Sequence, residues 1–142
     1  MPARRAICHI TTRTFALDEK SAAFLPEDCF STRLPCRVRT EADTLTLSYT
    51  ESGEGRVDTR IECAQDTVTL SRRGDVNFTA RLEAGCATPA PYSVGAYAFD
   101  TVCTLESLCV QEAPLSIVIA YRMDVDGNQR KIELTVREEA SP

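Results

Sequence analysis

Residues 66–82, DTVTLSRRGDVNFTARL, decide the fold of this chain. Val68 and Leu70 fall on one face of a strand, because successive side chains in an extended chain point to opposite sides. The same period of two puts Arg72 on that apolar face. Gly74 and Asp75 then turn the chain, and Val76, Phe78, Ala80 and Leu82 begin a second apolar row. Two short strands joined by a tight turn form an antiparallel hairpin. A guanidinium aimed at the apolar side of a sheet keeps its charge, so it must be paired or wetted there. A bulge at Gly74 would shift the register and turn Arg73 inward instead.

The alternation continues on both sides. Upstream, TLTLSYT at 44–50 aligns Leu45, Leu47 and Tyr49, and Glu51-Ser52-Gly53-Glu54-Gly55 reads as a turn. Val57, Thr59, Ile61 and Cys63 share the next row, with Ala64-Gln65-Asp66 as a short connection. Pro35 suits an edge strand or a bulge, having no N–H for a ladder. An N-terminal strand over Arg5–Thr14 carries Ala6, Cys8, Ile10 and Thr12 on one face and Ile7, His9 and Thr11 on the other. Phe15 to Asp28 is the least regular segment and reads as a helical turn or a long exposed flap.

Downstream, EAGCATPAPYSVGAY at 83–97 reads as a crossing over one end of the molecule. A long strand is expected from Tyr97 to Val110, with Tyr97, Phe99, Thr101, Cys103 and Leu105 in line. Leu115, Ile117, Ile119, Tyr121, Met123 and Val125 form the cleanest apolar row. Asp126-Gly127-Asn128 signals a hairpin into Ile132, Leu134 and Val136. About eight or more strands with short connections and no helix of any length predict an all-β fold. The expected form is an antiparallel up-and-down sheet curled into a barrel, one domain over residues 1–142.

Composition narrows the function classes. A 43% hydrophobic and 26% charged chain suits a globular domain with a core. The net charge of −5 argues against nucleic acid as a partner. No apolar run is long enough for a membrane span or a leader, so the expectation is a cytoplasmic protein with no membrane partner. The seven cysteines are scattered without a C-x-x-C pair, and His9 is the lone histidine. Reduced core or surface thiols are expected, with no metal and no cofactor. No phosphate loop, nucleophile elbow or calcium loop appears.

The order of short motifs resembles a known group. TLTLSYTE at 44–51, VTLSRRG at 68–74, LEAG at 82–85, Tyr92 with Gly95, AFDT at 98–101 and the closing SIVIAYRMDVDGNQRKIELTV are its carriers. Together they resemble the YwiB-like bacterial proteins, a domain-of-unknown-function family assigned to the calycin, or lipocalin-like, barrels. The resemblance implies a lipocalin-like barrel and no activity.

The candidate site follows from the inward rows. Arg72 would bind a carboxylate or phosphate, and Tyr49, Tyr97 and Tyr121 would orient an amphipathic ligand beside it. Thr59 and Thr101, inward by the same alternation, would line the polar end. Internal pairing of Arg72, or tyrosines that merely fill the barrel, is the plain structural alternative. No catalytic residue is expected, since no acid or base is forced inward beside Arg72. The leading expectation is therefore a binding protein for a small amphipathic or anionic molecule. The first alternative is a packed barrel whose partner is another protein or a second copy in a homodimer, met at the edge near Pro35 or the Thr88–Tyr92 crossing; ranked last is an unrecognised enzyme, which would need an acid or base beside Arg72.

Overall fold

In the computed structural model, residues 3–52 and 55–140 are described. Gly53 and Glu54, the tip of the expected turn at 51–55, lie outside them. The chain forms twelve strands: β1 (Arg4–Asp18), β2 (Ala23–Glu41), β3 (Thr44–Glu51), β4 (Val57–Ala64), β5 (Thr67–Gly74) and β6 (Val76–Glu83) come first. Three short pieces follow, β7 (Thr88–Pro89), β8 (Tyr92–Val94) and β9 (Tyr97–Phe99). The chain then closes with β10 (Thr101–Glu112), β11 (Leu115–Val125) and β12 (Asn128–Glu138). All belong to one sheet in the order β7-β10-β11-β12-β1-β2-β3-β4-β5-β6-β8-β9, antiparallel throughout its named ladders. The described residues contain no helix, and so none long and apolar enough to cross a membrane.

The sheet curls until β6 meets β10, where a parallel bridge joins Ala84 to Leu105. Its inner face is the core. Leu47, Ile61, Leu82, Ile117 and Ile119 are fully buried there, each worth about 1.5–3 kcal/mol relative to exposure. Ala6, Cys8 and Ile10 of β1 and Ile132, Leu134 and Val136 of β12 complete it. Cys8, Cys36, Cys63 and Cys103 serve as small core residues, while Cys29, Cys86 and Cys109 are exposed.

Two expectations are corrected. Phe15 to Asp28 is neither a helical turn nor a flap: β1 runs on to Asp18, the chain turns, and β2 returns antiparallel from Ala23. A register shift at Thr14/Phe15 accommodates one extra residue near Pro26. Nor is Tyr97–Val110 one strand. Asp100 interrupts it, β9 pairs with β8, and β10 starts anew at Thr101.

One irregularity shapes the rest. β2 pairs with β3 only from Arg37 to Glu41, so Ala23–Cys36 is bonded on one side alone, to β1. Pro35 stands two residues beyond the last β2–β3 pair and has no N–H with which to carry the ladder on. The wall therefore splits between β2 and β3, and both cavities described below lie along that split.

Candidate functional site

Arg72 faces inward. On β5 it follows Val68 and Leu70 in register, opposite Thr59 on β4 and Phe78 on β6. Arg73 stands opposite Asp58 and is exposed. Gly74 does not slip the register: it pairs with Val57. Its φ of +135° is open to glycine, and a β-carbon there would collide with the Arg56 carbonyl. That carbonyl accepts a hydrogen bond from the Asp75 N–H at 3.1 Å, and Asp75 Oδ2 accepts one from the Arg56 N–H at 2.6 Å. The turn is clamped from both sides, and Arg72 is held on the core face.

Around it lies a cavity of about 220 Å³. Ile10, Leu70, Ile132 and Leu134 make its apolar part; Thr12, Thr32, Tyr49, Thr59 and Tyr121 bring hydroxyl-bearing side chains. Arg72 sits at the mouth, its side chain 30% exposed. Its guanidinium approaches Glu51 Oε1 at 3.7 Å, too long for a hydrogen bond, and it donates to no other side chain among the described residues. Thr59 is the polar residue on which the site turns. Its side chain is buried, and its Oγ1 has no hydrogen-bond partner among the described residues.

The two tyrosines are held as phenols. Burial pushes the Tyr49 hydroxyl well above its ordinary range, and the Glu51 carboxylate adds to the shift. Arg72 and Thr59 oppose it; the Thr59 hydroxyl lies near Tyr49 without reaching hydrogen-bonding geometry. Burial likewise raises Tyr121, again partly offset by Arg72. Both rings therefore offer O–H groups within the electrostatic reach of one guanidinium. An acidic group with an apolar body suits such a lining, since cation and donors lie at one end and aliphatic carbons at the other.

Four of the six expected residues thus converge: Arg72, Tyr49, Tyr121 and Thr59. Thr101 is buried elsewhere, its hydroxyl donating to the Ala90 carbonyl, and it does not line the cavity. Tyr97 lies on β9, 73% exposed, because the break at Asp100 removes it from the inward row of β10. Glu51 joins the site from outside the expected set. Its place in the Glu51–Gly55 turn composition masks it, although the alternation of Leu45, Leu47 and Tyr49 runs on to it. His9 is on the outer surface, 3.5 Å from Glu139. Among the described residues no cluster of three or more His, Cys, Asp or Glu side chains is arranged to hold a metal.

Comparison with known proteins fits this architecture. A family model described as a domain of unknown function (DUF1934) matches residues 12–136. The crystal structure of the ywiB protein from Bacillus subtilis is similar, with a TM-score of 0.72 at 20% identity over 96% of this chain and 94% of that one. At that identity the likeness speaks for the fold alone. No curated protein matches.

Proposed function

The chain belongs to the DUF1934 family, a domain of unknown function, and on that premise we propose that it binds a small anionic or amphipathic molecule in the inner cavity. The carrying observation is the buried, unpartnered Thr59 hydroxyl beside a guanidinium that donates to no side chain among the described residues. Leaving a buried hydroxyl unpaired costs about 1–3 kcal/mol, a cost that a ligand oxygen would remove. The cavity is smaller than the roughly 300–1,000 Å³ of drug-sized pockets, so the ligand is small or inserts only its head. Its carboxylate meets Arg72, displacing the loosely held Glu51, while Tyr49 and Tyr121 donate to its oxygens. The free cysteines suit a reducing, cytoplasmic setting.

A thermal-shift series with straight-chain carboxylates from acetate to octanoate tests this. The protein is expected to gain stability with at least one member. Arg72→Ala and Thr59→Val are expected to abolish that gain, whereas Thr101→Val leaves it. A flat response across the series and across a wider set of small acids would remove the proposal.

One observation favours a second reading. The unpaired stretch of β2 displays Leu25 and Phe30, 50% and 57% exposed, along an edge with open backbone groups. A second copy docking there would make a homodimer. Sedimentation of the purified chain decides it, since a monomer at high concentration excludes this use of the edge.

A further inference from the structure

On the opposite face of the same strands lies a larger groove, about 720 Å³. One cross-strand level of that face reads Arg5, Arg37, Ser48, Arg60, Ser71, each residue directly opposite the next from β1 to β5. The adjacent level adds Thr50, Asp58 and Arg73. All these residues line the groove. Some are already satisfied: Arg60 pairs with Glu62 at 2.7 Å, and Asp58 accepts from Thr50 at 2.6 Å. Arg5, Arg37 and Arg73 form no ion pair or side-chain hydrogen bond among the described residues, and neither Ser48 nor Ser71 spends its hydroxyl.

Arg5 directly opposite Arg37 is the telling pair. Like charges facing each other across an antiparallel ladder repel, and neither guanidinium pairs with a carboxylate among the described residues. The chain as a whole carries −5, so general basicity does not account for the cluster. We propose that this groove binds a phosphorylated, hydroxyl-bearing small molecule, its phosphate held between the facing Arg5 and Arg37. A tetrahedral dianion accepts from several guanidinium and hydroxyl donors at once, and Ser48 and Ser71 add donors along the same row. Asp58 and Glu62 lie on β4, two strands beyond Arg37. Carboxylates repel a second phosphate and accept hydrogen bonds from ligand hydroxyls. The groove offers no aromatic platform, because Tyr49, the aromatic residue among its lining, has its ring buried on the inner face. A single strand of nucleic acid would need such rings for its bases. The groove shares Tyr49 and Thr59 with the inner cavity across the β2–β3 split, but Arg5, Arg37 and Ser48 line the groove alone, and the proposal does not rest on the inner-site reading.

Calorimetric titration of the full chain with ribose 5-phosphate and with inorganic pyrophosphate provides the test. Saturable one-to-one binding of ribose 5-phosphate is expected, with ribose alone inactive. Arg37→Gln should weaken it about tenfold or more, while Arg81→Gln, outside the groove, leaves its affinity in place. Asp58→Asn should weaken ribose 5-phosphate but strengthen pyrophosphate. Arg5→Gln supplies a readout independent of ligand: relieved of repulsion, the unliganded variant should melt no lower than the parent. The proposal is overturned if neither phosphate saturates the protein, or if Arg81→Gln, outside the groove, costs as much as Arg37→Gln. Tighter, length-dependent binding of a single-stranded oligonucleotide would overturn it as well.

Discussion

Thr59 and Gly74 hold the site from two directions. Thr59 occupies an inward position on β4 where valine would be at home, since Val57, Ile61 and Cys63 share its row. Its Oγ1 gains nothing visible from being there. Thr59→Val is therefore expected to raise the stability of the unliganded protein by about 1 kcal/mol, read by urea denaturation, while costing ligand affinity. A loss of stability of similar size would mean that the hydroxyl is satisfied, and the inner-site proposal would lose its main support. Gly74 acts on register. Its positive φ and the nearby Arg56 carbonyl leave no room for a side chain. Gly74→Ala should destabilise by about 1–3 kcal/mol and weaken any ligand effect that depends on Arg72. Arg72 itself was legible from the period of two in TVTLSRRG; which of the two arginines faced inward depended on a turn geometry that the period does not contain.

At the scale of the element, the β1–β2 hairpin is the least legible part. Its outer half rises beyond the core with mixed exposure on both faces, so no apolar alternation marks it, and main-chain pairing alone makes it a strand pair. It is pinned to the body of the sheet. The Arg122 guanidinium lies 5.0 Å from the centre of the Phe24 ring, and Arg130 pairs with Glu27 at 3.2 Å. An exposed cation–ring contact is worth about 0.5–1 kcal/mol. Arg122→Ala should thus speed hydrogen exchange at residues 19–27 by about two- to fivefold, leaving the buried amides of β11 unchanged. The same lesson holds at Tyr97. It matches the inward parity of β10, but Asp100 ends the alternation, and the short β8–β9 hairpin carries the ring outward.

Across the whole molecule, Glu138 ties three strands together. Its carboxylate accepts two hydrogen bonds from Arg4 of β1, each 2.9 Å, and one from the Leu115 N–H at 3.1 Å. The Arg4 guanidinium, then the Leu115 amide, holds this carboxyl below the usual glutamate range. A carboxyl with a lowered folded-state pKa contributes stability above its unfolded pKa and loses it as the pH falls through the folded value. Glu138→Gln should therefore melt below the parent at neutral pH, and the gap should narrow to nothing as melting is followed into the acid range beneath the ordinary glutamate value of 4.5. A gap that persists at the lowest pH would assign the effect to packing rather than charge.

The sequence by itself determined that this chain is an antiparallel β protein and which side of most strands meets the core. Both follow from a period of two that buried apolar side chains impose locally. It also placed Arg72, Tyr49, Tyr121 and Thr59 on one face. Only the tertiary structure decided that these four meet while Thr101 and Tyr97 do not, that Glu51 joins them, and that Arg5 stands against Arg37 across the outer groove. Those relations depend on where β2 parts from β3 and how far the sheet curls. Pairings between residues distant in the chain set both, and no local pattern records them.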